Sequence, residues 1–146
     1  MRRRAWPLLL ALTFAGCLEQ PKPKPLARTP SLYTRLGGEA GLTRVIDDYV
    51  TRLEEAKLLE SGEDRERQKH LMVQQLGAAT GGPQRPGGKG LGELFSGVTL
   101  RNDSDFDAAL QALDRALEDN GVGPRDRGAV KALLLPLRQE RVRQAE

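Results

Sequence analysis

The sequence predicts an all-α domain carried behind an export leader and a proline-rich tether. Three observations lead there. From residue 31 onward, apolar side chains recur at i, i+3, i+4 and i+7, the spacing of one helix face. No stretch alternates apolar and polar residues with the period of two that a half-buried strand requires. The first 30 residues show neither pattern; they are a charged start, an apolar run and a cluster of prolines.

The leader comes first. Arg2, Arg3 and Arg4 form a positive start, and residues 5–15 an apolar run of 11 residues. A membrane-spanning helix needs roughly 20, whereas a shorter run behind a charged start fits the hydrophobic part of a secretory signal. Ala15 and Gly16 are small and precede Cys17, the only cysteine. The TFAGC sequence resembles the bacterial lipobox, in which the chain is cut before the cysteine and the cysteine takes a lipid; Phe14 stands where leucine is commoner. The resemblance implies a lipoprotein signal peptide over residues 1–16, lipidation of Cys17 and a place in the bacterial cell envelope. Leu18 rather than Asp after the cysteine implies, by the usual sorting rule, the periplasmic face of the outer membrane if the cell is Gram-negative. A lone cysteine cannot form an internal disulfide, so no disulfide framework holds the fold.

Cleavage before Cys17 removes three of the 23 basic residues and none of the 20 acidic ones, so the mature chain has no formal net charge. The formal +3 and the pI near 9.3 belong to the leader, and they give no ground for a nucleic-acid partner. Trp6 and Phe14 leave as well, and Tyr33, Tyr49, Phe95 and Phe106 remain as aromatics. Residues 17–30 hold four prolines and three basic residues after the cysteine. Such a segment buries no core and runs extended, near ~3.1 Å per residue where polyproline-like, as a tether to a membrane.

Residues 31–146 suffice for one domain. A short helix is expected over residues 31–36, stopped by Gly37 and Gly38. Leu42, Val45, Ile46, Tyr49, Val50 and Leu53 mark the second helix, in a region ended by Gly62. The third carries Leu71, Met72, Leu76 and Ala79 on one side. Residues 81–88, GGPQRPGG, form a loop, since glycine and proline permit little else. A short segment over residues 91–96 comes next. Asp103 or Ser104 caps the next helix, whose stripe is Phe106, Ala109, Leu110, Leu113 and Leu117 and which Asn120 and Gly121 close. The last helix starts near Pro124, carries Val130, Leu133, Leu134 and Leu137, and is kinked by Pro136, which removes one helical hydrogen bond.

SLYTRLGGEAGLTRVIDDYV, residues 31–50, resembles the opening of a group 1 truncated haemoglobin, and LGGEAG at 36–41 is quite specific to that family. RQKHLMVQQLGAATGGP (67–83) resembles the family's distal helix and its glycine loop, DFDAALQALDRALEDNGV (105–122) the long helix after it, and KALLLPLRQERV (131–142) the last helix with its proline. The resemblance covers residues 31–143. It implies a two-over-two helical sandwich with haem b between the helices and O2 or another diatomic gas as ligand.

It also raises a question at GKGLGELFSG, residues 88–97. In the family the segment after the glycine loop ends on the histidine that ligates haem iron, and the match puts that position on Phe95. A phenyl ring has no lone pair to give iron, whereas haem proteins rely on His, Cys, Met or Tyr. The family's distal tyrosine falls on Val50 and its distal glutamine on Met72; Tyr49 and Leu76 complete the pocket positions. EEAKLLESGEDRERQ stands where members have a Phe-rich turn, and its charge marks it as solvated.

His70 is the only histidine. It lies two residues before Met72, about 200° around a helix, so the two face opposite ways. Its neighbours Arg67, Gln68 and Lys69 make it an exposed or rim residue rather than an iron ligand. Met72 faces inward with Leu76, as core packing. Catalytic constellations are absent: Asp47 and Asp48 are adjacent and point about 100° apart on a helix, and the glycine loop lacks the Gly-Lys-Ser/Thr ending of a phosphate-binding loop. Alternating charge in RQERVRQ marks a solvated helix end rather than a headgroup contact. Three functions stand open: an envelope module for haem and diatomic gas, as the resemblance implies; a haem-free globin-like domain for a protein partner or an apolar ligand; and a haem enzyme acting on nitric oxide or peroxide, which needs the same missing ligand. Phe95 separates the first two.

Overall fold

Glycine sets the first corner of the fold. The structure, a computed structural model, describes residues 28–83 and 90–143; the leader, Cys17 and most of the 81–88 loop lie outside the described residues. Helix α1 (Leu32–Arg35) is capped by Ser31, whose Oγ accepts from the Thr34 amide at 3.2 Å. It stops at Gly37, which takes φ +89°, and Gly38, at +64°, already opens α2 (Gly38–Glu55). The third glycine of LGGEAG acts through space: a Cβ on Gly41 would sit 2.0 Å from the Leu36 carbonyl oxygen.

The six-residue stripe of α2 from Leu42 to Leu53 is fully buried. The helix ends earlier than Gly62, at a left-handed Lys57 (φ +58°) beyond which the Leu58 amide returns to the Leu53 carbonyl at 2.9 Å. That closure turns Leu58 and Leu59 into the core, which corrects the expectation that the whole charged segment is solvated. The Leu58 carbonyl also accepts from the Thr99 amide, tying the segment to the stretch before α4 at 2.7 Å.

Helix α3 (Arg65–Ala79) buries Met72, Val73, Gln75, Leu76 and Gly77, while Leu71 and Ala79 are only half-buried. It packs on two neighbours, α2 and a 3-10 turn (Leu91–Phe95), so its buried surface is broader than one stripe. Helix α4 (Asp103–Asp119) is capped by Asn102 rather than Asp103 or Ser104: Asn102 is extended, and its Oδ1 accepts from the Asp105 amide at 2.9 Å. The α4 stripe is buried as expected, joined by Ala112 and Ala116, and Gly121 at φ +81° lies just past its end.

Pro124 opens α5 (Pro124–Leu134). Pro136 does more than kink the last helix; it separates α5 from a short α6 (Leu137–Arg143). The expected stripe keeps Val130 and Leu134 buried, with Leu133 and Leu137 at its edge. Helices α2 and α3 form one layer and α4 with α5–α6 the other, α2 lying across α4. The described residues contain helices and no strand, the two-over-two sandwich that the resemblance implies.

Gly41→Ala should destabilise the fold by about 3 kcal/mol, because the clash falls on backbone that has no rotamer to change. Denaturant unfolding monitored by circular dichroism measures it; a loss below about 1 kcal/mol would mean that the α1–α2 corner is not fixed as described.

Candidate functional site

The 3-10 turn carries two buried residues, Leu94 and Phe95, between α3 and α4. It is held at both ends. The Gln68 side-chain amide from α3 donates to the Ser96 carbonyl, and the Arg141 guanidinium from α6 donates to the Gly92 carbonyl. The glycines allow these approaches: Gly97 takes φ +77°, and a Cβ there would lie 2.1 Å from the Gln68 amide nitrogen.

So held, Phe95 points inward. Its ring lies 5.3 Å from that of Phe106, centroid to centroid, at 44°. Such tilted pairs are favoured by the ring quadrupoles and add about 0.5–1.5 kcal/mol to area burial. The Arg138 guanidinium, from α6, lies over the Phe106 ring, 5.2 Å from its centroid. Arg138 is in turn held by Asp107 and lies 3.9 Å from Asp103. Sequence reasoning had no signal for Arg138, since its contact depends on where the helix restarts after Pro136.

The other positions predicted for a pocket are brought together around the same core. Tyr49, Val50 and Leu76 are 0 % exposed, Met72 1 % and Phe95 2 %. Tyr49 has no hydrogen-bond partner for its hydroxyl, and burial pushes the phenol far above its ordinary pKa, so it remains a neutral donor. His70 stands apart. It is exposed on α3, with the Gln74 side-chain nitrogen 2.6 Å from its Nε2, on the rim of a shallow cleft with Tyr33 and Val73. Asp47 and Asp48 serve as surface ion-pair partners, of Lys69 at 2.7 Å and Arg52 at 3.8 Å. The described residues include no group of three or more His, Cys, Asp or Glu side chains placed to hold a metal ion.

Known proteins share this architecture. A family profile described as Bacterial-like globin matches residues 31–142. The chain belongs to the bacterial-like globin family. A group 1 truncated hemoglobin of Nostoc sp. (strain MUN 8820) is 29 % identical over 99 residues, 66 % of this chain and 83 % of that protein. Among solved structures, truncated hemoglobin from Tetrahymena pyriformis in its Fe(III) form has 23 % identity and a TM-score of 0.59, over 76 % of this chain and 97 % of that one. A tyrosine-to-phenylalanine variant of the same hemoglobin aligns over the same shares with 22 % identity and a TM-score of 0.64. At such identities these structures speak for the fold.

Haem binding is the general property of this globin family, so the side chains here must be tested against haem. They do not fit it. A site for a group of that size is a cleft of roughly 300–1,000 Å³, and such a slot leaves its lining exposed to the void. The five pocket positions are instead 0–2 % exposed, so no slot of that size lies against them. None of the five carries imidazole or thiolate. The one thioether, Met72, is packed in the core, and the one phenol, Tyr49, is held neutral.

The orphan hydroxyl of Tyr49 has a measurable consequence. A buried donor without an acceptor costs about 1–3 kcal/mol. Tyr49→Phe should therefore raise stability by about 1 kcal/mol, seen as a higher melting temperature. A fall of similar size would show that the hydroxyl has a partner.

Proposed function

We propose that this globin is an envelope-anchored domain whose scaffold works without haem-iron ligation, as a haem-independent binding module. One observation carries the proposal: Phe95, the residue in the family's proximal position, is buried and packed on Phe106. A fully buried phenyl contributes roughly 2–3 kcal/mol through lost water contact alone. That energy favours a closed core over one that must open to admit a cofactor. The loss of a donor at Phe95 and the apolar residues at Val50 and Met72 point the same way, since the first removes the bond to iron and the others remove polar contacts to a bound gas. The envelope part is supported by the charged start, the short apolar run and the small residues before Cys17.

The second reading is the family's own, haem and diatomic-gas binding, and membership of the family favours it. It requires Phe95 and its neighbours to move aside and leaves iron without a proximal donor from the turn.

Haem titration separates the two. Wild-type protein should give no sharp Soret band and no iron–histidine stretch in resonance Raman spectra. Phe95→His, which places neutral imidazole on the turn at neutral pH, should gain both in part, after a cost of about 1–3 kcal/mol to the haem-free fold. A strong iron–histidine band in wild type that vanishes in His70→Ala would overturn the proposal and make His70 the ligand. For the anchor, Cys17→Ser should abolish fatty-acid incorporation; retained acylation would contradict it.

A further inference from the structure

The outward face of α5 and α6 carries Leu135, the large apolar side chain left exposed among the described residues. Exposed residues recur there at helical spacing across the break: Arg125, Gly128, Ala132, Leu135, Gln139 and Arg143. The middle of this stripe carries no charge. Leu135, at 45 % exposure, is the large apolar side chain that the described residues leave in water, and Pro136 beside it is exposed as well. The ends are cationic. Arg127, Arg138 and Arg141 turn inward to acidic side chains of α4 or to the Gly92 carbonyl. Arg125 and Arg143, by contrast, have no acidic partner among the described residues, and Glu140 is the one acid exposed on α6.

The tether meets the domain at this side. The Pro30 carbonyl accepts from Nη1 of Arg35 at 2.6 Å, and Nε of the same guanidinium donates to Asp126 at 3.0 Å. Asp126 lies in the first turn of α5. The chain therefore enters the domain where the stripe begins. From Cys17 to Pro30 it spans at most about 40 Å in polyproline-like form.

We propose that the α5–α6 face, with Leu135 at its apolar centre and Arg125 and Arg143 at its ends, is the surface on which the domain rests against the anionic lipid membrane that holds its anchor. The inference depends on the lipid anchor proposed above. The anchor keeps the domain within reach of the bilayer, and the tether's point of entry turns α5 toward it. Leu135 and Pro136 then enter the interface, while the two arginines meet lipid phosphates, an attraction that falls off within a Debye length and weakens with salt. The alternating charge of the C-terminal segment alone suggested a solvated helix end; exposure sorts those charges, sending Arg141 inward and leaving Arg143 at the end of the stripe.

The mature chain has no tryptophan, because Trp6 leaves with the leader. This makes Leu135→Trp a clean reporter at an exposed site. The acylated full-length product is purified, checked for helical content, and reconstituted on vesicles of phosphatidylglycerol with phosphatidylcholine, or of phosphatidylcholine alone. On the anionic vesicles the new indole should shift to shorter emission wavelength and be quenched by brominated lipid. Adding Arg125→Glu and Arg143→Glu should remove the quenching while the protein still floats with the vesicles. A control, Arg44→Trp on the exposed side of α2, should stay water-exposed. Protein that floats with an indole at position 135 still in water overturns the inference and leaves the anchor standing, with the face then free for a protein partner. Equal quenching at positions 44 and 135 also overturns it. Protein that does not float overturns the anchor and the inference together.

Discussion

The contact between Phe95 and Phe106 is the constraint around which the rest of the structure is arranged. The two rings, 5.3 Å apart, join the 3-10 turn to the long helix α4 across the space between the layers. Met72 and Leu76 from α3 and Tyr49 and Val50 from α2 are buried in the same core cluster, and Arg138 from α6 lies over the Phe106 ring. Remove the Phe95 ring, and the turn loses its aromatic contact with α4. A ligating histidine at the same place would ask the opposite of these elements. It would need a slot beside it, and the close packing of protein interiors leaves none here.

The polar features around the turn arise from the same constraint. Five residues of 3-10 helix containing Gly92 have little intrinsic stability. The turn keeps its place because Gln68 and Arg141 hold its flanking carbonyls and because Leu94 and Phe95 are buried. Two glycines serve the turn directly: Gly97 permits the approach of Gln68, and Gly92 lies against the Arg141 guanidinium. The turn thus brings an apolar ring, Phe95, into the core between α3 and α4.

Much of this was legible in the sequence where one helix face meets one neighbour. The stripes of α2 and α4 are of that kind, and every residue assigned to them is buried. Helix α3 was less legible because it meets both α2 and the turn, so Val73 and Gln75 are buried while Leu71 is not. Leu58 and Leu59 were hidden among charges, and their burial depends on a left-handed lysine that no local pattern announces. The cap of α4 lay one residue earlier than expected, since Asn102, Asp103 and Ser104 are all good capping residues and only backbone conformation decides among them. At the site, the identity of Phe95 was legible from the matched motif. Its partners were not, because Arg138 reaches Phe106 only through the geometry of the break at Pro136.

A globin core closed by its own side chains makes a direct statement about folding. Whatever binds the native state and not the unfolded chain raises the melting temperature by mass action, and a globin built around haem is incomplete until haem is present. The decisive measurement is the thermal unfolding of the haem-free domain by circular dichroism, repeated with an excess of haem. A core closed by its own side chains should give a single cooperative helical transition whose midpoint does not move when haem is added. A haem-free protein that melts without cooperativity, and acquires a sharp, higher transition only with haem, would contradict it.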